Sequence, residues 1–319
     1  MSLDALGWNA QRQREFADYA RQGLIPGRII GEHRTHYQVA LQDEEIAAEI
    51  PGRMRNAAEL RSDLPGVGDY VALSPSAGDG PAIIEAVLPR TSALIRQAAG
   101  ERRPQLVASN VDVVLIVTAL DGDFNLDRLI RYLALIDDGG AEAVIIINKA
   151  DIGAEPEVAM AELQRVAPDV AVHVISAHSR QDVAVLEKYF EGGRTIAVLG
   201  SSGVGKSTLT NQLLGYEAQA TQAVRARDNR GQHTTTHRQL FIRDAGGAIM
   251  DTPGMRGLEL WDADPVFADD AVFDAIETLA TACKFRNCGH DSEPGCAVRA
   301  AIKRGEIDVA ALERYLATE

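Results

Sequence analysis

The sequence predicts a multidomain protein with an N-terminal all-β barrel, a central α/β domain and a C-terminal helical domain that binds a metal. Short alternating apolar runs fill the first part of the chain, strands then alternate with helices, and three cysteines cluster near the end. We expect the barrel region to span residues 1–95, the α/β domain 96–258 and the helical domain 259–319. A chain of 319 residues has room for two or three such domains.

The N-terminal region has the texture of a small barrel, preceded by a predicted helix near Ala10–Gln22. Five short runs alternate in polarity and are separated by glycines and prolines. Such a set fits a closed barrel of the OB type, and alternation alone does not distinguish it from an SH3-like barrel. The predicted strands are Gly27–Gly31, Thr35–Leu41, Glu44–Ile50, Asp69–Leu73 and Ala82–Leu88.

The central region alternates strands with helices, which predicts a mostly parallel sheet covered on both faces. The predicted strands are Val111–Thr118, Val144–Ile147, Val170–Ser176, Arg194–Leu199, Leu240–Arg243 and Ala248–Asp251. The predicted helices are Leu126–Ile136, Val158–Val166, Val183–Phe190 and Lys206–Leu214, followed near the end of the chain by Val298–Arg304 and Asp308–Leu316.

A phosphate-binding loop is predicted between the strand that ends at Leu199 and the helix that begins at Lys206. Its sequence matches G-x-x-x-x-G-K-[ST] at every fixed position, and a merely Gly-rich turn is the less favoured interpretation. Glycines let backbone N–H groups surround an anion, Lys206 reaches the β- and γ-phosphates, and the Ser207 hydroxyl binds Mg²⁺. The predicted binding residues are Gly200, Ser201, Ser202, Gly203, Val204, Gly205, Lys206, Ser207 and Thr208.

A guanine-reading motif is predicted at Asn148-Lys149-Ala150-Asp151, directly after a buried strand. The Asp151 carboxylate can accept hydrogen bonds from the ring N–H and exocyclic amine of guanine, a donor pair that adenine lacks. The Lys149 stem can lie along the base, and Asn148 can tie neighbouring loops together. Ser176-Ala177 ends the next strand, where a backbone N–H can meet the guanine carbonyl. A polar strand end is the plainer alternative for these residues.

The base reader precedes the phosphate loop, which reverses the order of a conventional GTPase. A parallel sheet tolerates such a circular permutation when the original termini lie close together. The central domain is therefore predicted to be a circularly permuted P-loop GTPase, whose switch segments lead directly into the C-terminal domain.

Two further segments are predicted switches. Asp251-Thr252-Pro253-Gly254 resembles D-x-x-G, in which Asp251 acts on Mg²⁺ and the Gly254 N–H meets the γ-phosphate. In the polar stretch Gln219–His237, either Thr234 or Thr235 is expected to complete the Mg²⁺ shell.

The residue that would orient the attacking water is less clearly marked. Met255 occupies the position where many GTPases place a glutamine. His233 is the candidate in its place, with Lys206 and Thr235 as the other predicted catalytic residues; a plain surface histidine is the alternative interpretation.

The three cysteines predict one structural zinc site rather than disulfides. Cys283, Cys288, His290 and Cys296 lie within a short, polar and Gly-rich segment, and Cys3His is a closed tetrahedral zinc set. Free or buried thiols are the alternative.

Composition predicts a soluble, cytoplasmic chain. The N-terminus has no signal-peptide character, and no apolar run approaches the length of a membrane span. The net charge of −14 disfavours broad, sequence-blind nucleic-acid binding, so any such contact must use local basic surfaces. Arginines do cluster, at Arg96, Arg102 and Arg103 and at Arg225, Arg227, Arg230 and Arg238, although they also suit a solvated surface.

Together these motifs resemble the circularly permuted, small-ribosomal-subunit-dependent GTPase family (RsgA/YjeQ). The likeness covers the OB-like barrel, N-K-A-D, S-A, G-S-S-G-V-G-K-S-T, H-T-T-T, D-T-P-G and the C-x4-C-x-H-x5-C site. It implies GTP hydrolysis stimulated by the 30S subunit, a role in late 30S maturation, and 16S rRNA contacts from the barrel and zinc domain, with the protein expected to be a monomer. A hydrophobic residue after D-x-x-G is also normal for that group.

Two other functions are compatible with parts of the sequence. A guanine-nucleotide-binding rRNA scaffold with little hydrolysis is disfavoured by intact Lys206, Ser207 and Asp251. An ATP-dependent P-loop enzyme is disfavoured by Asp151.

Overall fold

The computed structural model describes residues 3–33, 36–58, 60–75, 80–96, 105–121, 123–152, 156–216, 239–251, 276, 279–280, 283–285, 288–290, 293–304, 307, 309 and 312. The chain divides into two compact units, Met1–Glu259 and Leu260–Glu319. The first unit contains both the predicted barrel and the predicted α/β domain. Among the described helices, none has the length and apolar character needed to cross a bilayer.

Five strands of the N-terminal region close into a barrel, as the alternation predicts. They are ordered β1-β2-β3-β5-β4, and β4 pairs back with β1, so the barrel has no free edge between its first and last strand. All neighbouring pairs are antiparallel except β3 and β5. The strands are β1 Ile25–Glu32, β2 Tyr37–Ala40, β3 Glu45–Glu49, β4 Tyr70–Ser74 and β5 Ala82–Val87.

Helix α1 (Ala10–Arg21) packs Phe16 against the barrel, and the Asn9 side chain caps its first turn. Between β3 and β4 lie the short helix α2 (Gly52–Ala57) and a 3₁₀ turn at Arg61–Asp63, neither of which has an apolar pattern long enough to predict.

Six strands form the α/β part, in the spatial order β10-β9-β8-β11-β13-β12. All pairs are parallel except β12–β13, as predicted for a mostly parallel sheet. The strands are β8 Val113–Ala119, β9 Glu142–Asn148, β10 Ala171–Val174, β11 Thr195–Leu199, β12 Gln239–Ile242 and β13 Ala248–Asp251. The helices are α3 Leu126–Asp138, α4 Glu157–Val166, α5 Arg180–Val183 and α6 Lys206–Leu214.

Strand β8 shows why both faces of this sheet are covered. Val114 and Ile116 pack with α3 residues on one face, whereas Val113, Leu115 and Val117 pack with α6 residues on the other. The unbroken apolar run therefore supplies two cores at once.

The barrel and the α/β sheet are continuous. Gly31 of β1 pairs antiparallel with Gln239 of β12, so the two parts share one eleven-stranded sheet. Nothing local in either segment predicts this pairing, because it joins residues that are distant in the sequence.

One predicted helix is of the 3₁₀ type, and one hairpin is not predicted. The predicted helix Val183–Phe190 is a 3₁₀ helix over Ala184–Phe190, which places Leu186 and Tyr189 three residues apart on one buried face. The segment that follows the barrel forms an unpredicted hairpin of β6 (Ala93–Arg96) and β7 (Gln105–Ser109).

A buried polar cluster joins the N-terminal segment, the barrel and the α/β part. Arg28 of β1 is 1% exposed and donates to the carbonyls of Leu6 (2.6 Å), Gly68 (3.2 Å) and Asn110 (3.1 Å). Its guanidinium lies 4.7 Å from the centre of the Tyr70 ring. One side chain thus satisfies carbonyls from three segments of the chain.

The C-terminal unit has its own small core. Helix α7 (Ala297–Lys303) agrees with the helix predicted over Val298–Arg304. Most of the predicted helix Asp308–Leu316 lies outside the described residues. The buried residues of this core are Ile276, Cys296, Val298, Ala301, Ile307 and Leu312.

Candidate functional site

The predicted phosphate-binding residues, Gly200–Thr208, form the turn between β11 and α6 and the first turn of α6. Gly200 has a φ of +147°, and a Cβ there would lie 2.1 Å from the Val117 carbonyl oxygen of the neighbouring strand. Gly203 and Gly205 also have positive φ, at +81° and +105°. The close approach to β8 and the left-handed backbone explain the glycines of this turn.

Lys206 begins α6, and its ammonium folds back over the turn. It donates to the carbonyl of Ser201 at 2.5 Å and to that of Gly200. Ser207 and Thr208 follow in the first helical turn and are half-buried. A helix N-terminus, the backbone N–H groups of its first turn and a lysine together make a site for phosphate oxygens.

Asn148 connects the three predicted nucleotide motifs. Its amide nitrogen donates to the Val204 carbonyl at 2.7 Å, and its amide oxygen accepts from the Ala177 N–H at 2.8 Å. Gly205 lies against the same side chain, since a Cβ there would be 2.2 Å from the amide nitrogen. The predicted tie between neighbouring loops is therefore confirmed, and the base motif, the phosphate loop and Ser176-Ala177 meet at one edge of the sheet.

Asp151 lies exposed in a 3₁₀ turn after β9, with Ser176 beside it. A hydrogen bond from the Ser176 hydroxyl lowers the pKa of Asp151, with smaller contributions from its own backbone N–H and the charge of His178. The carboxylate is thus ionised at neutral pH and free to accept hydrogen bonds from a ligand.

Asp182 supports this corner and was not predicted. Its carboxylate accepts from the Ser176 N–H at 2.9 Å and from the Ser179 hydroxyl at 2.8 Å. The same two contacts, the Ser176 N–H first, lower the pKa of Asp182. Ser179-x-x-Asp182 follows a helix-capping pattern, which could have revealed it.

Sequence reasoning also missed Asp121 and Asp123, in the loop after β8. Asp121 pairs with Lys149, and Asp123 accepts from the Ser201 hydroxyl. No motif marks them; their position after a buried strand next to β11 is the signal that could have found them, because ligands bind at the carboxyl ends of such strands.

The predicted switch residues are described only in part. The backbone of Asp251 ends β13, which runs parallel to β11, so it lies at the same edge of the sheet as Gly200. His233, Thr234, Thr235 and Gly254 lie outside the described residues.

The four predicted metal ligands converge in the C-terminal unit. The ligand atoms of Cys283, Cys288, His290 and Cys296 all lie within 4.8 Å of one another. The Sγ atoms of Cys283 and Cys296 are 3.8 Å apart, and His290 Nδ1 is 3.7 Å and 3.4 Å from them. Tetrahedral zinc with ordinary bond lengths requires separations of roughly 3.6–3.8 Å. The three distances among Cys283, His290 and Cys296 are close to this range, and Cys288 is near enough to be the fourth ligand.

Backbone N–H groups surround these sulfurs. The Ala297 N–H donates to Cys283 Sγ at 3.3 Å and the Arg299 N–H to Cys296 Sγ at 3.4 Å. Burial alone would raise the pKa of Cys283, but the N–H groups of Ala297 and Val298 and the neighbouring thiols leave its pKa below the usual value. Such contacts favour the thiolate, which is the form that binds metal.

A family model described as RsgA GTPase matches residues 87–261 of the chain. Similar proteins include the small ribosomal subunit biogenesis GTPase RsgA 2 of Lactiplantibacillus plantarum, 42% identical over 94% of this chain and 84% of the relative. The small ribosomal subunit biogenesis GTPase RsgA of Xylella fastidiosa strain M23 is 44% identical over 98% of this chain and 94% of the relative.

Two solved structures share the fold. The crystal structure of YjeQ from Thermotoga maritima superposes with a TM-score of 0.55 and 26% identity, over 92% of this chain and 97% of that one. YloQ, described as a circularly permuted GTPase, gives a TM-score of 0.53 and 24% identity, over 92% and 93%. The reversed motif order therefore belongs to a known arrangement of the fold.

Proposed function

The chain belongs to the RsgA GTPase family, and from that premise we propose that it hydrolyses GTP as a biogenesis factor of the small ribosomal subunit. Relatives that are about 40% identical over nearly the whole chain are named small ribosomal subunit biogenesis GTPase RsgA. The predicted resemblance to this family and its GTPase activity are thereby confirmed.

The contact that best supports a guanine nucleotide site is the bridge made by Asn148. It fixes the base motif to Val204 of the phosphate loop and to Ala177, so the two ends of a nucleotide site are held at a set distance. Asp151, with its lowered pKa, would accept from the guanine edge. Gly200–Lys206 would hold the phosphates.

The remaining residues are assigned by their motifs. Ser207, Asp251 and Thr235 would hold Mg²⁺, with Thr234 as the alternative threonine. The ion, when bound, neutralises charge on the phosphates. Lys206 would stabilise the same charge as it grows at the leaving oxygen. His233 would orient the attacking water in place of the glutamine that Met255 replaces.

His233→Ala is expected to lower hydrolysis stimulated by small subunits while leaving GTP affinity intact, because the side chain is assigned to the water and not to the nucleotide. Single-turnover rates with and without 30S subunits measure this. Equal stimulated rates in variant and parent would remove His233 from the mechanism.

The other assignments concern the two flanking modules. We place one structural zinc at Cys283, Cys288, His290 and Cys296, since all four positions of a tetrahedron are filled and none is open for chemistry. The barrel, proposed to be of the OB type, and the zinc domain would contact 16S rRNA, with the protein acting as a monomer in late 30S maturation. Small subunits assemble in the bacterial cytoplasm, where we place the protein.

The test is phosphate release from GTP and ATP, with purified 30S, 50S and 70S particles added in turn. We expect GTP to be preferred and 30S alone to accelerate release strongly. Lys206→Ala serves as the inactive control, because it removes the positive charge that would stabilise the transferred phosphate. Tight GDP binding with no phosphate release under any condition would favour the rRNA scaffold instead. Equal hydrolysis of ATP and GTP would contradict the guanine assignment.

A further inference from the structure

The loop between β8 and α3 contacts both halves of the nucleotide site. Strand β8 lies between β9, which carries the base motif, and β11, which leads into the phosphate loop. The loop that follows β8 is therefore within reach of both, and it places one aspartate against each half.

Asp121 holds the lysine of the base motif. Its carboxylate is 2.5 Å from the Lys149 ammonium, and this hydrogen bond is the largest cause that lowers the pKa of Asp121. Lys149 has a φ of +65°, in the left-handed region that a lysine rarely adopts. Lys149 thus has a restricted backbone conformation, and its ammonium has a carboxylate partner.

Asp123 holds the phosphate loop. It accepts hydrogen bonds from the Ser201 hydroxyl and from the Thr118 hydroxyl, the latter at 3.2 Å. The Arg128 guanidinium lies 2.9 Å from the same carboxylate. Without the Arg128 guanidinium, the Asp123 carboxylate would repel the phosphates of a nucleotide. The Arg128–Asp123 pair therefore allows an acidic residue to lie beside an anion-binding loop.

We propose that Asp121 and Asp123 are positioning residues for nucleotide binding, because one short loop holds the Lys149 side chain and the Ser201 end of the phosphate loop in place. The inference rests on the proposed function. A free lysine samples many rotamers, so binding must immobilise it, and an anchored one has lost that freedom already.

The base half is tested by a double-mutant cycle. Asp121→Ala is expected to weaken binding of a fluorescent GDP analogue by roughly threefold to tenfold, as for loss of one ordered side chain. In a Lys149→Met background the same change should have no effect, since the anchored group is gone. Asp121→Glu should restore most of the affinity.

The phosphate half is tested in the same way. Asp123→Ala should weaken GDP binding alone but add little in a Ser201→Ala background. Asp127→Ala is the matched control: it removes the same charge from an exposed site in the first turn of α3 and should leave affinity unchanged.

Two readouts separate positioning from mere structural support. The melting temperature of the ligand-free Asp121 variant should equal that of the parent, and its effect on hydrolysis should fall on KM with kcat unchanged at saturating GTP. Parent-like GDP affinity in Asp121→Ala and Asp123→Ala, or fully additive effects in both cycles, would overturn the proposal. A parent protein that binds no GDP would instead contradict the proposed function itself.

Discussion

Asn148 and Gly205 fit together so closely that each restricts the other. The amide nitrogen of Asn148 lies only 2.2 Å from the position that a Cβ of residue 205 would occupy, and the same amide donates to the Val204 carbonyl. A side chain at 205 would therefore push the base motif away from the phosphate loop.

Gly205→Ala is expected to weaken GDP binding by at least about tenfold, or ~1.4 kcal/mol. The alanine would be in the left-handed region, at a φ of +105°, and would displace Asn148. Titration with a fluorescent GDP analogue measures the change.

Gly192→Ala is the control for Gly205→Ala. Gly192 has a φ of +76°, and no atom lies within 4 Å of the position that a Cβ would occupy there, so the alanine adds similar backbone strain without a collision. If both variants bind GDP like the parent, the close contact between Asn148 and the loop has no role in affinity.

Asp151→Asn should change the base preference of the site from guanine to xanthine. Replacing the carboxylate removes charge-assisted hydrogen bonds and should cost about 2 kcal/mol in GTP binding. Xanthine has a carbonyl where guanine has its amine, and the new amide N–H can donate to it. Competition between GTP and xanthosine triphosphate for the variant measures the exchange; an unchanged preference for GTP would show that Asp151 does not read the base.

For individual residues, the sequence predicts those whose role follows from a local motif. Asn148 and Gly205 each belong to such a motif, and both are found in the predicted contact region. Asp121 acts through Lys149, a partner distant in the chain, so its importance appears only when the strands are assembled. Asp182 could have been found from the helix-capping pattern that it forms with Ser179.

Among the helices and strands, those in which apolar residues recur with a clear period are predicted best. The barrel strands and the buried strand β8 follow from alternation and from an unbroken apolar run. The apolar spacing of Val183–Phe190 predicts a helix but not its type, because the spacing suits both an α-helix and the 3₁₀ helix that forms over Ala184–Phe190. The β6–β7 hairpin and the β1–β12 pairing were missed, since strand partners depend on contacts that no short segment encodes.

Strand β1 also carries Arg28, which joins the N-terminal segment, the barrel and the α/β part of the first unit. Arg28→Met is expected to lower the free energy of unfolding by about 1–3 kcal/mol, because the buried Asn110 carbonyl would lose its donor. The Leu6 and Gly68 carbonyls would each lose one donor and keep the one from Tyr70 or Asn110. Urea unfolding followed by circular dichroism measures this.

The matched control is Arg21→Met on α1. The Arg21 side chain is 74% exposed and pairs with an equally exposed Asp18, so its loss should change stability by only about 0.5 kcal/mol. Equal unfolding midpoints for the two variants would show that the Arg28 hydrogen bonds do not stabilise the fold.

For the whole molecule, motif order and spatial order are separate properties. The base motif precedes the phosphate loop in the chain, yet β9, β8 and β11 lie side by side and end at the same edge. Connections can therefore be rearranged as long as the carboxyl ends of the strands still meet.

Zinc and nucleotide should be separable, because their ligands belong to different units. We expect one zinc per chain by metal analysis, and three thiols that react with a thiol reagent only after chelation. GDP affinity should survive metal removal, since every described nucleotide-site residue lies in Met1–Glu259. Immediate reaction of all three thiols in the untreated protein would contradict the zinc assignment.

One edge of strand β1 pairs with β4 over Ile25–Arg28, which closes the barrel, and with β12 at Gly31, which covers β12. A protein engineer who excised the barrel would uncover unpaired backbone groups along β12, and such an edge invites pairing with other chains. Truncated versions should therefore aggregate unless a replacement strand or a charged substitution protects that border. The first module is in this sense a cover for the second.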